Sequence, residues 1–302
     1  MKINVGKYSG FCFGVRRAVE TVENAVANGK IYTLGEIIHN ETVVEMLAQK
    51  GAVPIDSIDN APECSEIVIR SHGVGPSVYE RAKERGVKLI DATCPFVKRI
   101  HKIALEHGRR GDVVVIVGNS RHPEVMGIRE WGGERACVVS CEEDVKQLPA
   151  GQSACIVAQT TINTAFYQAM VERIRPSFAR CTVYQTICDT TVRRQEEAIA
   201  LSKHSDVMIV VGGAHSSNTQ KLFDLCSQHC RRTYALKSSK DSRTILEKIH
   251  RSDIISVVAG ASTPSDANVG VVNLPIAEAE PNFNAPQTGK RPVLSALSAD
   301  HA

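Results

Sequence analysis

Apolar residues fall along this chain in short unbroken runs, as in Val-Val-Val-Ile-Val at 113 to 117 and Val-Met-Ile-Val-Val at 207 to 211. Each run ends in glycine and polar residues, the pattern of a strand buried on both faces of a parallel sheet. Three more runs, at 67 to 72, 155 to 161 and 255 to 262, end in Ser-His, Thr-Thr and Ala-Ser, so each closes on a hydrogen-bonding side chain. Between the runs, the stretches 15–27, 77–85, 164–174 and 195–201 alternate apolar and polar residues at helical spacing and predict amphipathic helices. Strand, helix, strand repetition argues for α/β units with right-handed crossovers.

Three cysteines stand where such a strand gives way to such a helix, and their surroundings rhyme. The chain reads Gly-Phe-Cys-Phe-Gly-Val-Arg-Arg at 10 to 17, Asp-Ala-Thr-Cys-Pro-Phe-Val-Lys-Arg at 91 to 99 and Thr-Ile-Cys-Asp-Thr-Thr-Val-Arg-Arg at 186 to 194. A basic pair follows each cysteine. A histidine follows too: His39 lies 27 residues after Cys12, His122 28 after Cys94 and His215 27 after Cys188. A period of roughly 80 to 95 residues predicts three copies of one unit. The lobes are expected at 1–93, 94–187 and 188–272. A tail at 273–302, rich in Ala, Glu, Pro and Asn, shows no periodicity. Ligands of parallel α/β sheets bind beyond the carboxyl ends of the strands, where this chain carries its Cys, His, Ser and Thr. The expected fold is therefore three similar α/β/α lobes around a pseudo-threefold axis, with those ends aimed at one central point.

Composition narrows the chemistry. A net charge of +3, with dispersed lysines and arginines, gives no stripe for nucleic acid. No run approaches a membrane span and the start lacks an apolar leader, so a cytoplasmic protein is expected. In a reducing compartment the ten cysteines read as metal ligands, redox groups or small core residues. Cys155, inside an apolar run, reads as packing. Cys226 with Cys230, and Cys137 with Cys141, have no further ligands close by in sequence.

A closed structural zinc site takes four ligands, and only Cys12, Cys94 and Cys188 are in phase. Three thiolates suit a [4Fe-4S] cluster, leaving one iron without a protein ligand to act on substrate oxygen. Helix starts favour thiolates, and Pro95 after Cys94 suits a first helical position. His39, His72, Thr160, Thr161, Ser216, Ser217, Asn218 and Ser262 are donors at equivalent strand ends, and helix starts rich in such groups suit phosphate oxygens. His122-Pro-Glu124 adds the one carboxylic acid, a proton donor for reductive loss of hydroxide.

These residues resemble the 4-hydroxy-3-methylbut-2-enyl diphosphate reductases, which end the non-mevalonate isoprenoid pathway. The resemblance runs from Gly10 to about Pro264. It includes Glu-Ile-Ile-His-Asn at 36 to 40, Ser-His-Gly-Val at 71 to 74 and His-Pro-Glu-Val at 122 to 125. It continues with Gln-Thr-Thr at 159 to 161, Arg-Gln at 194 to 195, Ser-Ser-Asn at 216 to 218 and Ala-Gly-Ala-Ser-Thr-Pro at 259 to 264. It implies three lobes around a [4Fe-4S] cluster held by Cys12, Cys94 and Cys188, with the substrate hydroxyl on the fourth iron. It implies that His39, His72, Ser216, Ser217, Asn218 and Ser262 grip the diphosphate. His122 and Thr160 or Thr161 orient substrate and relay protons, Glu124 delivers the proton, and a ferredoxin or flavodoxin supplies two electrons. Thr190 and Val192-Arg193 depart from the family pattern beside Cys188, and the text after Pro264 lacks the usual apolar helix. The alternatives are an iron-sulfur sensor, a quinolinate synthase-like dehydratase and a zinc protein. The dehydratase is disfavoured because no arginine clamp for a dicarboxylate stands out.

Overall fold

The structure is a computed structural model that describes residues 2–149, 153–237, 245 and 248–264. The expected tail at 273–302 and the altered text after Pro264 lie outside the described residues.

Among the described residues, strands and helices mostly alternate. After β1 (Lys2–Val5) and α1 (Phe13–Val26) come β2 (Ile31–Leu34), α2 (Glu41–Gln49), β3 (Ala52–Ile55), β4 (Glu66–Ile69), α3 (Pro76–Glu84) and β5 (Lys88–Asp91). A second run follows: α4 (Pro95–Arg109), β6 (Val113–Val117), α5 (Pro123–Gly132), β7 (Ala136–Val139), α6 (Glu142–Val145), β8 (Ser153–Ala158), α7 (Thr164–Ile174) and β9 (Arg180–Val183). The third comprises α8 (Asp189–Ser202), β10 (Val207–Val211), α9 (Ser217–Ser227), β11 (Thr233–Leu236) and β12 (Ile254–Ala259).

Three parallel four-stranded sheets result, ordered β3-β2-β4-β5, β7-β6-β8-β9 and β11-β10-β12-β1. The runs at 113 to 117 and 207 to 211 form the central strands β6 and β10, wholly buried as their β-branched, unalternating composition predicts. The first two sheets pack helices on both faces over apolar clusters, and among the described residues the third packs α8 and α9 on one face. No helix among the described residues is long and apolar enough to cross a membrane.

The first strand departs from the boundaries read from the repeat. Instead of joining the sheet of residues 31–91, β1 pairs with β12 in register Lys2 to Ile254, and Ile3 packs on the third core. The register explains the placement: β1 occupies the edge position in the third sheet that β5 and β9 occupy in the other two. Every cysteine of the rhyme therefore follows the edge strand of one sheet and opens the helix leading to the next. The ring is closed by pairing residues some 250 apart, which no local pattern reveals.

Candidate active site

Cys12, Cys94 and Cys188 are the N-cap residues of α1, α4 and α8. Their backbones are held alike. The Cys12 amide donates to the Ala261 carbonyl at 3.1 Å, that of Cys94 to Ser71 at 3.0 Å and that of Cys188 to Thr160 at 3.1 Å. In each case the acceptor lies at the carboxyl end of a central strand, one residue before Ser262, His72 or Thr161. The three thiols and these three side chains line one cavity of about 740 Å³ counted out to its mouth.

Burial pushes the Cys12 thiol up and that of Cys94 to about 11, against the pull of nearby helix-start amides. Such thiols stay protonated at neutral pH unless a metal takes the proton's place. Gly14 is the residue that lets α1 approach, since a Cβ there would stand 2.5 Å from Cys94 Sγ. Three thiols on three helix starts around one cavity are a donor set that fits a metal group taking three thiolates and keeping an open position.

Three imidazoles line the same cavity. Ring centroids lie 4.3 Å apart for His39 and His72, 5.4 Å for His72 and His122, and 5.7 Å for His39 and His122. One ring nitrogen from each falls within 4.8 Å of the others, close enough to share one anion or one ion. Burial lowers all three, His72 well below the usual imidazole range and His122 to about 3. His122 caps α5, its Nδ1 accepting from the Glu124 amide at 3.2 Å, so its proton sits on Nε2. His72 Nδ1 is buried with no partner.

Glu124 is 2% exposed and meets Thr160 twice, accepting from the amide at 2.6 Å and the hydroxyl at 2.8 Å. Burial raises its pKa, opposed by those two bonds and by Lys221. The third lobe adds Ser216, the N-cap of α9, with Ser217 and Asn218 after it. Ser262 donates to the His39 carbonyl at 3.1 Å, and Asn40 donates to the Ser262 carbonyl at 2.9 Å, tying the first lobe to the third.

All thirteen residues singled out from the sequence line this cavity. His215 does not: it is 75% exposed and faces Glu41. The repeat is kept one residue later. Asn40, His122 and Ser216, the N-caps of α2, α5 and α9, each follow their cysteine by 28 residues. Equivalence lies in the cap and not in the imidazole.

The structure also gives the basic pairs a use. Arg17 donates to the Thr93 and Asp91 carbonyls at 3.0 and 3.4 Å, bracing the Cys94 loop from α1. Arg194 is buried and donates to the Gly10 carbonyl at 2.6 Å and that of Ala259 at 2.8 Å, bracing the Cys12 loop from α8. Lys98, in the second copy, instead pairs with Asp91 at 2.6 Å.

The family model described as LytB protein matches residues 3–274. This chain belongs to the LytB family. A 4-hydroxy-3-methylbut-2-enyl diphosphate reductase of Thermoanaerobacter sp. (strain X514) is 43% identical over 269 residues, covering 87% of this chain and 93% of that protein. One from Clostridioides difficile (strain 630) is 38% identical over 269 residues, covering 88% and 95%. Among solved structures, the Plasmodium falciparum E-1-hydroxy-2-methyl-but-2-enyl-4-diphosphate reductase matches with TM-score 0.86 and 27% identity, covering 95% of this chain and 93% of that one. Another, described as the terminal enzyme of the non-mevalonate pathway, matches with TM-score 0.66 and 35% identity, covering 90% and 98%. Thr190 falls at the site itself: its Oγ1 lies 2.9 Å from Cys188 Sγ.

Proposed function

We propose that this protein reduces 4-hydroxy-3-methylbut-2-enyl diphosphate to isopentenyl and dimethylallyl diphosphates in the cytoplasm, drawing electrons from a reduced ferredoxin or flavodoxin. The observation that carries the reading is the buried Glu124–Thr160 pair, which shares one cavity with three metal-competent thiols and a set of anion-binding donors. Two electrons and two protons exchange the C–OH bond for C–H and release water. A [4Fe-4S] cluster held by Cys12, Cys94 and Cys188 supplies, when bound, the electron transfer and a Lewis acid at the iron lacking a thiolate.

The chain's own groups do the rest. His39, His72, Ser216, Ser217, Asn218 and Ser262 hold the diphosphate, whose charge offsets the burial that keeps the imidazoles neutral without it. This anchors the allylic end toward the thiols. Glu124, protonated more readily because it is buried, gives a proton to the leaving oxygen, with the Thr160 hydroxyl bonded to it as relay. The second proton adds at either end of the allyl unit, giving two isomeric products. His122, presenting Nε2–H to the cavity, and Thr161 orient the substrate.

The test is anaerobic reconstitution followed by turnover with a reduced donor. Iron and acid-labile sulfide should be found in equal amounts, without zinc, and both isomers should form. No turnover alongside an intact cluster would sink the reading and favour a sensor.

A further inference from the structure

Among the described residues no lysine or arginine lines the cavity, although the ligand proposed for it is highly charged. The charge that answers it lies one layer back. Lys221 is partly buried on α9, four residues after Ser217 and so on the same helix face. Its Nζ donates to Ser217 Oγ at 3.1 Å. Arg194 has its terminal nitrogens on main-chain carbonyls, and Arg70 faces Glu36.

The same hydroxyl has a second obligate donor. Gln159 is wholly buried, and its Oε1 accepts from the Asn119 amide at 3.0 Å, which turns its NH₂ toward the cavity wall. That nitrogen donates to Thr161 Oγ1 at 3.1 Å and to Ser217 Oγ at 3.3 Å. A hydroxyl offers two lone pairs and one proton. With Lys221 and Gln159 on its lone pairs, Ser217 accepts nothing more and must give its proton away. Thr161, 3.2 Å from Ser217, therefore cannot donate to it and keeps its own proton for the cavity. Asn218 Nδ2, buried and without a partner, adds a further free donor on the same wall.

We infer that Lys221 is a specificity-determining residue for the anionic end of the substrate. It supplies charge that the wall lacks and, with Gln159, holds Ser217 and Thr161 as donors, so that the site prefers a diphosphate to a monophosphate. This rests on the diphosphate reading proposed above.

Titration calorimetry of the anaerobic holoenzyme with inorganic pyrophosphate and with orthophosphate tests it in wild type, Lys221→Arg, Lys221→Gln and Lys221→Met. Pyrophosphate binding should weaken about tenfold or more in the Gln and Met variants and roughly threefold or less in Arg. Orthophosphate should lose less than pyrophosphate, iron content should stay at the wild-type level, and with substrate the loss should appear in KM. The inference falls if Lys221→Gln binds pyrophosphate as wild type does, or if both anions weaken equally. Wild-type turnover separates the two readings: turnover with indifferent Lys221 variants overturns this inference alone, whereas no turnover and no pyrophosphate binding overturns both.

Discussion

Gly14 allows folding and cofactor loading to be separated by one methyl group. It is the second residue of α1, where alanine instead of glycine ordinarily stabilises a helix by about 0.5–1 kcal/mol. Here the added Cβ would lie 2.5 Å from Cys94 Sγ and 3.1 Å from Cys94 Cβ. Non-bonded heavy atoms rest at about 3.5–4.0 Å, so the sulfur is overlapped by about 1 Å. Turning Cys94 to another staggered rotamer removes the sulfur contact at modest energy. The Cβ contact then needs a few tenths of an ångström between the starts of α1 and α4. Gain and cost nearly cancel, so Gly14→Ala should change unfolding free energy by no more than about 1 kcal/mol. The thiol, however, no longer faces its partners. Denaturant unfolding of the metal-free protein, beside iron and sulfide content after anaerobic reconstitution, reads the two effects separately. Expected are near-normal stability and markedly reduced iron. Full iron with a normal visible spectrum would show that the packing of α1 on Cys94 does not set the thiol's direction.

Glu124→Gln should retain the cofactor, since the amide can still meet both Thr160 groups once the hydroxyl turns to accept, while turnover falls about 10²–10⁴-fold; near-normal rates would remove Glu124 as the acid. Arg194→Lys keeps the charge but cannot bridge the Gly10 and Ala259 carbonyls, so stability should drop by about 1.5–3 kcal/mol in denaturant titration, and an unchanged midpoint would refute the bracing role. Acid should also destabilise the fold. Burial holds His101 at about 4, so between that value and the usual 6.5 the unfolded chain binds more protons, and stability present above 6.5 is lost as pH falls. His101 alone accounts for about 2 kcal/mol at pH 5. The melting temperature should therefore fall from pH 7.5 to pH 5, and less so in His101→Gln; equal pH sensitivity in both proteins would refute the assignment.

The strands and the cavity wall were legible because their signals are local. A run such as Val113–Val117 can hardly be other than a buried strand, and a cysteine before a helix declares itself within ten residues. What was not legible depends on pairing across the chain. Nothing near Lys2 says that β1 completes a sheet with β12. The basic pairs were visible as a repeat, but their work on carbonyls of the neighbouring lobe was not, because Arg17 and Arg194 look locally like solvated helix residues. Gln159 and Lys221 meet on the Ser217 hydroxyl only because the fold brings 159 and 221 together, which no local pattern announces. His215 misled because identity was matched where cap position is what repeats.

That correction accounts for how a threefold scaffold comes to have a one-sided chemistry. Counting from the caps Asn40, His122 and Ser216, the second residue onward is Thr42, Glu124 and Asn218. Thr42 is exposed, while Glu124 and Asn218 are buried at the cavity. One backbone position therefore carries a carboxylic acid in the second copy, an amide donor in the third and nothing directed inward in the first. The acid stands where Thr160 bonds it twice, and the amide stands beside the Ser216 and Ser217 hydroxyls. In the reaction proposed above, a substrate bound among them would meet its proton source on one side and its anion cradle on the other. Exchanging the two, as Glu124→Asn with Asn218→Glu, would place a carboxylate in the cradle. The double variant should therefore bind pyrophosphate more weakly than Glu124→Gln does, even with all three cysteines and their caps intact.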